Sequence, residues 1–132
     1  MPRLVIDTSA VMAMLLQEPE AEPLLDLAVR AGSVHLSAAT RLELSLVAEG
    51  ARFNTISSEI EALLSTLRVE VMPFDGNHLH WALHGWRHYG KGRHQAALNL
   101  GDCFSYGLAK ALDAPLLFKG EDFQRTDVKV AH

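Results

Sequence analysis

The sequence predicts an α/β fold: a three-layer α/β/α sandwich around a central parallel β-sheet. Three observations lead there. Short apolar runs at Leu4-Val5-Ile6, Val34-His35-Leu36-Ser37, Val69-Glu70-Val71-Met72 and Pro115-Leu116-Leu117-Phe118 alternate with longer stretches of helical periodicity. The first run contains no polar residue, as expected of a strand covered on both faces. The 132 residues suffice for one such core, so a single domain over residues 1–132 is expected.

Taken in order, the first strand stops at a charge, Asp7. Two hydroxyl residues follow, then Ala10 to Leu16 as a helix that Thr8 or Ser9 can cap. Pro19 and Pro23 punctuate the next helix, whose apolar face holds Leu24, Leu25, Leu27, Ala28 and Ala31, with Gly32 as C-cap. After the second strand a helix runs from about Ala38 to Glu49, and Gly50 lies past its end. Ile56, Ile60, Leu63, Leu64 and Leu67 mark another helix between about Thr55 and Leu67. Pro73 closes the third strand, and Asp75 caps a helix rich in histidine and tryptophan that ends near Gly90. A basic loop, Lys91-Gly92-Arg93-His94, precedes a helix from about Asp102 to Leu112. The fourth strand follows, then a turn at Lys119-Gly120-Glu121-Asp122-Phe123, and Val128-Lys129-Val130 as a weak fifth strand.

The totals narrow the function classes. A single cysteine, Cys103, allows no internal disulfide and suggests no zinc site; it reads as a small core residue. No apolar run approaches the roughly 20 residues of a membrane span, and no basic-then-apolar leader opens the chain, so a cytoplasmic location is expected. The formal net charge of −4 argues against bulk electrostatic binding of nucleic acid. Four carboxylates could carry all of that excess: Asp7, Glu43, Asp102 and Asp122. No GxxxxGK[ST] loop is present, which disfavours a P-loop enzyme.

Each of these acids also has an ordinary use. Asp7 can support a helix cap, Asp102 can be an N-cap, and Asp122 can be a turn carboxylate. Glu43 shares a helix face with Ala39, Thr40, Leu46 and Val47, so it packs inward or borders a cleft, unless Arg41 or another cation pairs with it. Together the ordinary uses become less attractive. Asp7 and Asp122 follow parallel strands, Asp102 starts a helix, and Glu43 lies within about two turns of a helix start. All four therefore belong to one edge of the sheet. Carboxylates gathered there repel, and some stay protonated unless a hard divalent cation joins them. Magnesium or manganese fits better than zinc, because no thiolate is offered. Such an ion activates water and offsets charge on an attacked phosphate, so a phosphodiester is the ready substrate class. Thr8 or Ser9 could orient a carboxylate or the water.

The ordered set Asp7-Thr8-Ser9, Thr40-Arg41-Leu42-Glu43, Leu98-Asn99-Leu100-Gly101-Asp102-Cys103 and Lys119-Gly120-Glu121-Asp122-Phe123 with Thr126-Asp127 resembles the PIN-domain proteins, and more narrowly the VapC-type toxins of toxin–antitoxin pairs. The resemblance spans essentially the whole chain. It implies a PIN-like sandwich, a Mg2+- or Mn2+-dependent endoribonuclease, a VapB-type antitoxin partner and a homodimer. It also implies that Asp7, Glu43 and Asp102 are the core catalytic and metal-binding acids, with Asp122 the fourth. Glu121 departs from the usual neutral residue and could replace or assist Asp122.

Three further features have two readings each. His80, His84 and His88 share a helix face, either as ligands or as aromatic packing beside Trp81 and Trp86. Lys91, Arg93, His94 and Arg87 form a basic patch that either contacts RNA phosphates, with Arg93 and Ser9 as substrate contacts, or is a solvated loop. The acids could also serve a non-catalytic PIN-like binding module that receives a partner's cation. An aspartate-nucleophile phosphatase would want Asp-x-Asp at the first strand, and position 9 is Ser.

Overall fold

The computed structural model describes residues 2–132. Four strands form one sheet, β1 (Arg3–Ile6), β2 (Ser33–Ser37), β3 (Val69–Met72) and β4 (Leu116–Leu117), in the order β3-β2-β1-β4. Every pairing is parallel. The registers place Val5 beside His35 and Leu116, and Leu36 beside Val71. The helices are α1 (Thr8–Leu15), α2 (Ala21–Arg30), α3 (Ala38–Ala48), α4 (Ser57–Thr66), α5 (Gly76–Tyr89) and α6 (Leu100–Leu112), with one 3₁₀ turn at Phe123–Arg125. Among the described residues no helix is long and apolar enough to cross a membrane.

The period of two along β1 builds the sandwich. Leu4 and Ile6 point into one core with residues of α1, α2, α3 and α4. Val5 points the other way, into a core with Ala82 of α5 and Tyr106, Leu108 and Ala109 of α6. Leu117 and Leu116 repeat this division in β4. Helix α1 is buried almost all round, from Ala10 to Met14, which explains its unbroken apolar sequence. Cys103 is buried in the second core, and burial pushes its thiol up to about 11.

Local chemistry moves several expected boundaries. Asp7, rather than Thr8 or Ser9, is the N-cap of α1, accepting from the Ser9 N–H. Helix α6 starts at Leu100 because Asn99 caps it, and Asp102 is the third helical residue instead of the cap. Ala31, in extended conformation, closes α2 ahead of Gly32. Ile56 stands before α4 as its N-cap and is exposed. The fifth strand reduces to one bridge between Leu116 and Val130. With β4 only two residues long, the Leu116 N–H donating to Lys129 O and the Ala131 N–H donating to Leu116 O are the pairing it can offer.

The segment after β4 is tied back to α6. Tyr106 Oη donates to Asp127 Oδ1 at 2.8 Å, and Lys110 Nζ donates to Asp127 Oδ2 at 3.1 Å. Thr126 Oγ1 donates to Phe123 O at 2.7 Å. Thr126-Asp127 thus fastens the turn that carries Asp122. Removing the phenol oxygen with Tyr106→Phe should lower stability by about 1.5 kcal/mol, the value of a hydrogen bond to a charged group. Urea unfolding of parent and variant measures it.

Candidate active site

The strand order places β1 between β2 and β4, with crossovers leaving to opposite faces of the sheet. The carboxyl end of β1 is therefore a topological switch point, where α/β sheets open a crevice. Asp7 stands there, its backbone N–H bonded to Leu117 O at 3.0 Å. Its side chain is 4% exposed and accepts three hydrogen bonds. Ser9 donates twice to Oδ2, from Oγ at 2.7 Å and from N–H at 3.0 Å. Ser105 Oγ of α6 donates to Oδ1 at 2.5 Å. Ser9 Oγ in turn accepts the Lys119 N–H at 3.0 Å, so the segment after β4 helps hold the same carboxylate.

Glu43 arrives from α3 and accepts from Thr8 Oγ1 through Oε1, at 2.6 Å. Arg41 is not its partner; it is paired with Glu61. The apolar neighbours expected to draw the Glu43 face inward, Leu46 and Val47, are exposed, so that face borders a cleft. Asp102 arrives from the first turn of α6. Its Oδ2 accepts the Asn99 N–H at 3.0 Å while its own N–H donates to Asn99 Oδ1 at 2.9 Å, a reciprocal capping box. Gly101 lets α3 and α6 meet: a Cβ there would lie 1.6 Å from Glu43 Oε2. Asp7, Glu43 and Asp102 line one cavity of about 400 Å³ with Thr8, Ser9, Met12, Leu16, Glu18, Val47, Arg52, Phe53 and Lys119.

The sequence matches the PIN domain family over residues 4–129. The chain belongs to the PIN-domain family. It is 50% identical over 127 residues to "Ribonuclease VapC30" of Mycobacterium tuberculosis, covering 95% of each chain. It is 45% identical over 130 residues to "Ribonuclease VapC" of Mycolicibacterium smegmatis, covering 98% of this chain and 100% of that one. Its fold is similar to that of VapBC2 from Rickettsia felis bound to a promoter DNA fragment, with a TM-score of 0.72 at 18% identity over 97% of this chain and 96% of the other. It is also similar to the sarcin-ricin-loop-cleaving toxin VapC20 of Mycobacterium tuberculosis, with a TM-score of 0.70 at 15% identity over 95% of each.

The acids of this PIN domain act on one another. Burial pushes Asp102 up to about 7, reinforced by the charges of Asp7, Asp122 and Glu43 and opposed by the Asn99 hydrogen bond. Burial also raises Glu43, with the Thr8 hydrogen bond opposing and the charge of Asp7 adding. Asp122 is exposed at the entry to the 3₁₀ turn, without a capping bond, and reaches Asp102 through its field. Glu121 is exposed and turned towards Arg125 at 3.5 Å. Among the described residues no cation forms an ion pair with Asp7, Glu43, Asp102 or Asp122. Nor do three His, Cys, Asp or Glu side chains already stand in a ligating group. The donor set still fits a hard divalent ion: three carboxylates share a cavity without a thiolate, and their uncompensated charge is the strain a cation would remove.

The other candidates lie elsewhere. Arg93 is outside the cavity, its guanidinium carbon 4.2 Å from the centre of a Trp86 ring. His80 and His84 pack edge-on against Trp81 at 5.3 and 5.5 Å, and His84 stacks on Tyr106 at 6.3 Å. Three cavity residues carried no periodic or motif signal that set them apart, Glu18, Arg52 and Phe53, and a fourth, Lys119, stood in a quoted motif without being singled out. Lys119 Nζ is bonded to Glu18 at 2.6 Å and lies 3.5 Å from Glu20. A basic residue flanked by a Gly turn after the last strand was the available hint for Lys119; loop residues 52 and 53 offered none.

Two measurements follow. Because the folded-state pKa of Asp102 is raised, the folded protein binds the proton more tightly than the unfolded chain. That contribution is complete below the ordinary aspartate range and is lost as pH rises through about 7. Without added metal, stability should therefore fall between about pH 4 and 7, and Asp102→Asn should flatten the profile, as read by thermal melts across pH. Gly101→Ala should displace the Glu43 carboxylate, the mobile end of its side chain, while stability changes by less than about 1 kcal/mol because alanine favours the helix, as urea unfolding can measure.

Proposed function

We propose that this chain is the toxin of a type II toxin–antitoxin pair, a Mg2+- or Mn2+-dependent endoribonuclease that hydrolyses RNA phosphodiester bonds with water. One PIN-like domain over residues 1–132 would carry the activity in the cytoplasm, as a homodimer held in check by a VapB-type antitoxin. The observation that supports this best is the cavity in which Asp7, Glu43 and Asp102 meet with no cation among the described residues paired to them. The relatives at 45–50% identity are named ribonucleases, and the similar Rickettsia felis structure is a VapBC complex.

In this reading Asp7, Glu43 and Asp102 hold the ion and Asp122 tunes the site through its charge. Asp122 is preferred to Glu121 because its charge, and not that of Glu121, acts on Asp102, while Glu121 faces Arg125. When bound, the ion supplies a Lewis acid that makes water nucleophilic near neutral pH and offsets charge on the attacked phosphate. Ser9 and Ser105 hold Asp7 in one orientation by donating to both of its oxygens. Ser9 therefore serves the substrate through Asp7. Thr8 fixes the rotation of Glu43, and Asn99 fixes that of Asp102. Arg93 is a candidate for a phosphate further along the RNA.

The test is RNA cleavage with magnesium, with manganese and with EDTA, repeated for Asp7→Ala and Asp102→Ala. Cleavage should require the ion and fall by more than about a hundredfold in each variant, since even groups that only support metal ligands are worth 10–100-fold. Variants that cleave as well as the parent would refute the mechanism. Tight antitoxin binding by a parent without metal-dependent cleavage would favour the binding module.

A further inference from the structure

The cavity has a second half that the acids do not account for. Beyond Glu43 its wall is formed by Met12, Leu16, Val47, Arg52 and Phe53. Leu16 and Val47 are 38% and 39% exposed, an apolar surface left open beside a polar centre. Two cations line the cavity, Arg52 and Lys119, and they differ in one respect. Lys119 is paired with Glu18 and Glu20. Among the described residues Arg52 has no carboxylate within ion-pair distance. Its guanidinium carbon lies 4.9 Å from the centre of the Phe53 ring, so the cation rests over the aromatic face and turns its other face outward.

The turn that carries them is tightly held. Phe53 N–H and Asn54 N–H both donate to Gly50 O, at 3.2 and 2.7 Å, and Thr55 N–H donates to Ala48 O at 2.8 Å. Asn54 takes the left-handed conformation, with φ 50°, that this turn requires. Phe53 is half-buried and packs against the core beneath α1 and α3. The backbone that carries the pair is therefore set before any ligand arrives, with Phe53 seated and Arg52 exposed above it.

We propose that Arg52 and Phe53 form a nucleotide subsite, in which Arg52 holds a phosphate next to the scissile one and the pair stacks on the neighbouring base. The inference rests on the RNA reading of the acidic half. A single strand offers charge and a flat face in alternation, and it is bound by cations beside aromatic platforms. Guanidinium suits both parts, since it is planar, stacks, and matches phosphate with two donors. The apolar wall of Leu16 and Val47 then faces the ribose and base edge. The subsite is a positioning element: it sets which bond of the strand reaches Asp7, Glu43 and Asp102.

The test uses the full chain and a fluorescein-labelled single-stranded oligoribonucleotide of mixed sequence. Anisotropy in EDTA across a salt series gives Kd, and magnesium assays give KM and kcat. Arg52→Gln should weaken binding about tenfold and reduce the slope of log Kd against log salt by about 0.7, the share of one phosphate contact on a single strand. Arg52→Lys should restore that slope. Phe53→Leu, with its melting temperature checked against the parent, should weaken binding about fivefold, within the range for one stacked base, with the slope unchanged. In cleavage, KM should rise by similar factors while kcat stays within about twofold, as when ground state and transition state lose the same contact. A parent that neither binds nor cleaves RNA overturns the RNA reading and the subsite with it. A parent that does both, with Arg52 and Phe53 variants that match it in slope, Kd and KM, overturns the subsite alone. Variants that weaken only antitoxin binding also overturn it, and assign the surface to the protein partner.

Discussion

Asp7 accepts hydrogen bonds from two parts of the chain, and a third braces one of the donors. Ser9 comes from the helix it caps, Ser105 from α6 on the opposite face of the sheet, and Lys119, through Ser9, from the segment after β4. A carboxylate 4% exposed would lose its hydration without recompense if these donors were absent. The cluster therefore does two things at once. It pays for burying a charge at the switch point of the sheet, and it locks the two faces of the sandwich in register about that charge. Everything else in the cleft is placed relative to it.

The neighbouring acids follow from that lock. Because Ser105 draws α6 onto β1, the first turn of α6 comes to lie against α3, and Gly101 supplies the missing side chain that lets Glu43 in. Asp102 and Glu43 are then near enough to Asp7 for each charge to disfavour the next. The Asn99 capping box and the Thr8 hydroxyl offset only part of this and fix the rotamers in which the acids meet. This is the conflict that the proposed divalent ion would relieve. The remainder of the cleft is different in kind, apolar and cationic instead of acidic, and its character comes from a short turn after α3 rather than from the sheet.

Much of the architecture could be read before the structure. Period-two burial in β1 and β4 was written in Leu4-Val5-Ile6 and Leu116-Leu117, and β3 ran over the expected residues, Val69–Met72. Boundaries set by side-chain chemistry were harder. Asn99 and Asp102 are both good caps, and only their reciprocal bonding decides that Asn99 takes the role. Likewise Val128-Lys129-Val130 has strand composition, but a strand needs a partner long enough to pair with, and β4 is two residues.

By itself, the sequence determined the order of the elements, the edge of the sheet at which Asp7, Glu43 and Asp102 would gather, and the family, because these depend on local periodicity and on a set of short motifs. Tertiary structure alone decided who meets whom. That Glu43 touches Gly101 and Thr8 rather than Arg41, that Ser105 rather than Arg93 serves the acids, and that Arg52 and Phe53 finish the cleft are consequences of α3, α6 and one turn converging from separate crossovers. Such contacts carry no signature in a linear pattern, since the energy that selects them is shared among helices packed against both faces of the sheet.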